Sequence, residues 1–402
     1  MALTSQQQAI QNQIDGFDSN TGTQVLLSTL LRAIDAGDIR QGYTDSAAFP
    51  TNDSDFIGFI GYDEFDSSLR YIGRDLDIHK IDSATASVGA AAAGQNVQGT
   101  ASGYTVGGLT PPSTYHNVID KFSYVSNANA TDVGDLTFSG SSEEMTASPT
   151  HTYIHAGYLG PPGYNYSGLE KFPFATDANS ADTSTTTPAE RNSSSHNGPG
   201  FGYQIYNSKI HKINHASDTF TADAGSIPSP VETSPATKYQ SYTSSTDAYS
   251  GNYEANPSDP FVKIAFASDT ATASSARSDQ TYGTQSGAAN FNSDVAGYAA
   301  GGNTPPSTNA TTAMVKFIFA SEAEMTSVGT FAMAPHGSRD NGGSASTTYG
   351  YGAGGRSYTA PNSVATTQNA ILNTPFSSDA PASDVGDLTV ARAYLSSVQS
   401  QV

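Results

Sequence analysis

The sequence predicts an all-β protein: a seven-bladed β-propeller, closed by pairing of N- and C-terminal strands and preceded by a short helical segment. Three observations carry this. First, a short unit headed by Lys121-Phe122-Ser123-Tyr124 recurs as Lys171-Phe172-Pro173-Phe174, Lys263-Ile264-Ala265-Phe266 and Lys316-Phe317-Ile318-Phe319. Worn copies follow Lys80, Lys212 and Thr374, which makes seven. Second, two near-verbatim pairs fix the period. Gly107-Gly108-Leu109-Thr110-Pro111-Pro112 returns from Gly301, and Asp132-Val133-Gly134-Asp135-Leu136-Thr137 returns unchanged from Asp384, four and five periods of about 50 residues away. Third, the composition favours short strands and tight turns, with 38 Gly and 22 Tyr in 402 residues.

Leu, Ile, Val and Phe are scarce for a packed domain of this length. Charged residues are also scarce at 13%, so the chain lacks the self-repulsion of a disordered polyelectrolyte. The expected core is therefore built from small residues and aromatics. A formal charge of −20 with only 17 Lys and Arg argues against binding nucleic acid. The absence of Cys removes disulfides and thiolate metal sites. No run approaches the length of a membrane span, and Met1-Ala2-Leu3-Thr4 lacks the basic and apolar regions of a signal peptide. Neither a membrane partner nor export by the general secretory route is expected.

Residues 1–69 stand apart as a helical anchoring segment. Ser5 and Gln8 form a capping-box pattern, with Ile10, Ile14 and Phe17 continuing at helical spacing. After a break at Asn20-Thr21-Gly22, Val25, Leu26, Leu27, Leu30, Leu31 and Ile34 make an apolar stripe that Gly37 is placed to end. Such a stripe needs cover. It either packs on the rest of the chain or docks into a partner protein, which makes these six residues the candidate partner-binding site.

Residues 70–402 hold the expected propeller. Each unit reads as a Tyr-Gly strand (Gly103-Tyr104, Gly297-Tyr298, Gly350-Tyr351), a Lys strand whose rings alternate onto one face, and a strand after an Asx-rich turn, as at Asn129 to Thr137. A fourth strand is left to the variable stretches. The region opens with Tyr71 and Lys80 but no Asp-Val-Gly strand, whereas Asp384 to Ser396 supplies one with no Tyr strand after it. The two ends together are expected to complete the seventh blade and remove the open sheet edges.

The unit spanning Lys171 to Asn179, with Asn129 to Thr137 and Asp384 to Arg392, resembles the kelch-like propeller repeat of virion appendage and tail-fibre-type proteins of marine tailed phages, cyanophages among them. The resemblance implies a structural, non-enzymatic virion protein in the extracellular phage particle. It would be present in multiple copies, anchored to other virion proteins through the N-terminal segment, and would display the propeller for host attachment. It supplies no catalytic residue and no cofactor. The alternative is a lectin-like adhesin that binds host-surface glycan on Tyr153, Tyr158, Tyr164 and Tyr166, residues that serve equally well as blade packing. The absence of Trp separates the chain from WD-repeat and sialidase-type propellers.

Other candidate chemistry has structural readings too. His151, His155, His196, His211 and His215 raise the question of a metal, but on a strand His211 and His215 would lie far apart along one face. Asn127, Asn129, Asp132 and Asp135 could ring a calcium ion or satisfy backbone donors in Asx turns. No Gly-x-Ser-x-Gly elbow, phosphate loop or His-Glu-x-x-His pattern occurs.

Overall fold

The computed structural model describes residues 60–63, 68–72, 78–80, 98–161, 165–189, 193–206, 209–227, 240–251, 260–277, 287–302, 310–332, 338–358 and 365–400. Every regular element among them is a strand. The expected N-terminal helices and the stripe from Val25 to Ile34 lie outside the described residues. The chain divides into two units, 1–91 and 92–402, so the expected boundary at residue 70 falls inside the first.

In the first unit Ile60–Asp63, Ser68–Ile72 and Ile78–Lys80 form a three-stranded antiparallel sheet. Among its described residues the second unit contains six sheets with four main antiparallel strands, the first of which also carries the short strand Leu109–Thr110, and a small three-stranded sheet of Ser338–Arg339, Arg356–Ser357 and Thr366–Thr367. The first joins Ser396–Ser400, Ser102–Val106, Thr114–Ser123 and Thr131–Gly140. The second joins Glu144–Ala147, His151–His155, Gly168–Pro173 and Ala181–Thr186; the third, Ser194–Gly198, Phe201–Tyr206, Lys209–Asn214 and Thr219–Ser226. The fourth joins Gln240–Thr243, Asp247–Gly251, Pro260–Ala265 and Thr270–Arg277; the fifth, Ala289–Asn292, Ala296–Ala300, Ala313–Ile318 and Thr326–Thr330. The sixth joins Gly342–Ala345, Tyr349–Ala353, Ala370–Pro375 and Ser383–Asp387. This all-β arrangement of four-stranded sheets is compatible with a propeller.

Two features differ from the expected pattern. Among the described residues six sheets carry the repeat of four main strands, and the unit around Lys80 forms a three-stranded sheet that does not reproduce it. In five sheets the repeat Tyr sits opposite the repeat Lys, as Tyr104 opposite Lys121, but Tyr71 pairs with His79 and Lys80 with Arg70, one residue out of step. The C-terminal partner also differs. Ser396–Ser400 pairs with Ser102–Val106, Val398 opposite Tyr104, rather than with the strand containing Tyr71. Both repeat offsets hold: Gly107 and Gly301 follow the second strands of the first and fifth sheets, and Asp132 and Asp384 lie in the fourth strands of the first and sixth.

Local sequence explains the turns. Ser148, Ser244, Ser293 and Ser346 each end a first strand and accept at Oγ the N–H groups two and three residues on, which closes the hairpin to the second strand. The Gly-Gly that follows a second strand turns left-handed, with φ of 56° and 104° at Gly107 and Gly108. This aims the Gly108 N–H at the Gly140 carbonyl just before the next sheet, as Gly302 does at Ser338 and Gly355 at Arg392.

The core is distributed between sheets. Tyr104, Val106, Ile119 and Leu136 of the first sheet pack with Met145, Ile154, Phe172 and Phe174 of the second. Comparable clusters lie between each following pair, and one joins Tyr351, Ile371 and Leu388 of the sixth to Phe122, Tyr124 and Ala130 of the first. As composition led us to expect, aromatics and alanines fill much of this space. First strands approach one another in sequence from Glu144–Ala147 through Gly342–Ala345 to Ser396–Ser400, which in turn approaches Glu144–Ala147.

Candidate functional site

Two constructions place the polar side chains of the second unit: a recurring contact between sheets and a cavity at their first strands. The contact begins with strand register. Tyr104, Tyr153, Tyr203, Tyr249 and Tyr298 stand directly opposite Lys121, Lys171, Lys212, Lys263 and Lys316. Six residues after each of the last four lysines comes Asp177, Asp218, Asp269 or Glu322, and Asp379 holds the same place in the sixth sheet; φ at these acids is 44–55°. Asp tolerates this left-handed turn better than most residues. The acid belongs to the next sheet and accepts from both partners of the sheet before it. Lysine Nζ donates to it at 2.6–2.9 Å and the tyrosine hydroxyl at 2.7–3.2 Å.

The environment fixes the protonation states. Each ammonium lies 5.1–5.6 Å from the centroid of its tyrosine ring. Burial, followed by the adjacent carboxylate, raises the Tyr104, Tyr153 and Tyr203 hydroxyls well above their ordinary pKa. Burial likewise pushes Tyr249 and Tyr298 up to about 12. These hydroxyls remain neutral donors. The hydrogen bond to Glu322 raises Lys263 and keeps it charged. The motif was readable as an acid six residues after four of the five lysines, but its partner lies in the preceding repeat.

The repeated Asp-Val-Gly-Asp-Leu-Thr segments also join sheets. The Thr137 N–H and hydroxyl both donate to Glu170 in the second sheet, and those of Thr389 donate to Asp120 in the first. Asp120 additionally receives Arg392 Nη1 at 2.7 Å, and both side chains are 0% exposed.

The cavity, about 160 Å³ in the volume open to the centre of a water molecule, is lined from the first strands of all six sheets. Its wall is largely hydroxyl and amide. Ser195 Oγ donates to Glu144 Oε2 at 3.0 Å, and Ser241 Oγ to the Ser195 carbonyl at 2.8 Å. Asn197 and Asn292 accept from the Ala147 and Thr243 N–H groups at 2.7 and 3.0 Å. Side chains of one first strand thus cap the backbone of its neighbour. Glu143 and Glu144 are the charged groups among the described lining residues.

The other sequence candidates are dispersed. Tyr153 belongs to an inter-sheet contact, Tyr158 meets Tyr115 edge to face, and Tyr166 stacks on Phe138 at 4.0 Å and donates to Glu170. The described tyrosines of the glycan-platform reading are therefore engaged in packing; Tyr164 lies outside the described residues. His211 lies against Phe220, whereas His215 stacks on Tyr153 of the preceding sheet. Burial pushes His155 and His196 down to about 3. Asn129 accepts from the Asp387 N–H, Asp132 from that of Gly134, and the Asp135 N–H donates to Asn179, so this cluster serves backbone donors. No helix of the described residues is long and apolar enough to cross a membrane. No protein-family model matches the chain, and neither does any curated protein.

Proposed function

We propose that residues 98–400 form a closed six-bladed propeller and that the chain is a non-enzymatic structural appendage of a phage particle. In this reading the N-terminal segment is the anchor and the propeller faces outward. One observation carries the scaffold role: the same Tyr–Lys–acid contact joins one sheet to the next five times, so the chain's scattered cations and carboxylates hold sheets together. The pairing of Ser396–Ser400 with Ser102–Val106 supports closure, since it occupies an edge that would otherwise invite association. The phage assignment rests on the resemblance of the repeat unit.

The anchor is testable in the full chain. Leu27→Asp with Leu31→Asp places two charges in the apolar stripe, where docking would have to desolvate them. Incorporation into particles is expected to be lost while the purified double variant melts like the parent. Normal incorporation overturns the anchoring role, and a lowered melting temperature shows instead that the stripe packs on its own chain.

A further inference from the structure

We propose that the cavity at the first strands is a binding site for a small, uncharged, hydroxyl-rich molecule, a monosaccharide or the terminal sugar of a glycan. This goes beyond the scaffold reading and does not depend on anchoring.

The argument starts from size and charge. At about 160 Å³ the space far exceeds the roughly 10–15 Å³ that one ordered water needs by the same measure. No Lys, Arg or His is among the described lining residues, so nothing in this wall would neutralise a phosphate, sulfate or carboxylate. Glu143 and Glu144 would repel one. What the wall offers is alternating donors and acceptors. Glu144 supplies carboxylate oxygens, one already fixed by Ser195 at 3.0 Å, and an ionised carboxylate can accept from two neighbouring hydroxyls.

The opposite donors are also positioned. The Thr243 N–H holds Asn292 Oδ1 at 3.0 Å, which orients the amide and turns its NH₂ group, a double donor, away from the strand. Ser397 Oγ, from the C-terminal strand, is packed against Gly342 and closed off from the cavity, which leaves the donor role to the Asn292 amide. A sugar ring, with several hydroxyls that each donate and accept, complements a carboxylate and an amide NH₂ in the wall of one space. Water alone is the competing occupant.

Calorimetric titration of the full-length protein with glucose, galactose, mannose and N-acetylglucosamine tests the site, with glucuronate as the anionic comparator and calcium chloride as the cation comparator. Saturable binding of at least one neutral sugar in about the millimolar range is expected, with glucuronate at least about tenfold weaker. Glu144→Gln should weaken it about tenfold by replacing a charged acceptor with a neutral one that can still accept from Ser195. Asn292→Ala also removes the Thr243 cap, so its melting curve accompanies its affinity; Glu144→Gln tests the carboxylate without that complication. A glycan bearing the same sugar at its terminus distinguishes a terminal-sugar site from one for the free molecule. Failure of every sugar to saturate, equal binding by parent and Glu144→Gln, or saturation by calcium alone overturns the proposal. None of these outcomes bears on particle incorporation.

Discussion

Five junctions between successive sheets differ from the one where the sixth sheet meets the first. At the five, a lysine, a tyrosine and the next sheet's acid converge in partly exposed contacts; Lys316 and Asp379 keep 20% and 23% of their side-chain surface. At the sixth junction the equivalent positions hold Tyr351, Asn373 and Asn127, so cation and anion are replaced together. The ionic contact moves inward to Arg392 and Asp120, while Tyr124 stacks on Tyr351 at 4.6 Å. The comparison separates two ways of joining sheets. A half-exposed pair contributes modestly and tolerates loss, whereas a fully buried pair severely penalises loss of either partner.

The largest effect should therefore follow Asp120→Ala. It strands the Arg392 guanidinium in the interior and deprives Thr389 of its acceptor, so a loss of about 3–5 kcal/mol in urea unfolding is expected. Asp120→Leu combined with Arg392→Met should recover much of that loss, because desolvation of the ions disappears with their attraction. A single-variant cost near that of an exposed pair would erase the distinction between junction types.

Acid should attack elsewhere. His155 and His196 are buried in the second and third sheets, and burial holds each near pKa 3 against about 6.5 when unfolded. Below 6.5 the unfolded chain takes up protons that the folded chain refuses, so stability falls with decreasing pH down to about 3. Each histidine contributes up to about 1.4 kcal/mol per pH unit, or roughly 2–3 kcal/mol by pH 4.5. Hydrogen exchange at pH 7 and pH 5 should show protection falling first around residues 151–155 and 194–198. His155→Phe should flatten the pH dependence, and protection lost first at residues 383–400 would place the acid-sensitive region at the other junction.

At an ordinary junction Asp379→Asn keeps the amide-compatible left-handed turn and removes only the charge shared by Lys316 and Tyr298. A loss of about 1 kcal/mol, reduced at high salt, is expected from chemical denaturation. Lys316→Asn in the same background should cost little more, since its partner is already gone. A loss as large as that of Asp120→Ala would show that these exposed pairs act as buried ones do.

Much of the sheet pattern was visible because it uses hydrophobic alternation. Tyr104, Phe122 and Leu136 mark the second, third and fourth strands, and both long repeat offsets land on equivalent sheets. The first strands were hidden for a physical reason. Ser194–Gly198, Gln240–Thr243 and Ser396–Ser400 turn hydroxyl and amide groups toward a polar cavity, so they carry little hydrophobic periodicity. That is also why the sequence marked a last strand within Asp384 to Ser396 and did not mark Ser396–Ser400 as a strand of its own. Lys80 reads in the sequence as a repeat lysine, and only strand register distinguishes it from the other five. The cavity itself was not legible, because its wall is assembled from six stretches spaced along the whole second unit.

The smallest effect, and the sharpest test of the comparison, is to install the missing contact. Asn127→Asp with Asn373→Lys would recreate at the sixth junction the lysine and acid found at the other five. Asn127 already has the required left-handed φ of 48°, and Asn373 already stands opposite Tyr351. Neither single change should help. Asn373→Lys introduces a cation at a largely buried position without its anion, and Asn127→Asp introduces an anion into a chain already at −20. Together they should couple favourably by about 0.5–1 kcal/mol in a double-mutant cycle, the range of a half-exposed ion pair. The Tyr124–Tyr351 stack provides the competing expectation. If those rings occupy the space the lysine stem needs, coupling will be absent and both lysine variants will melt lower, showing that this junction is built around its aromatic pair rather than merely lacking a charge.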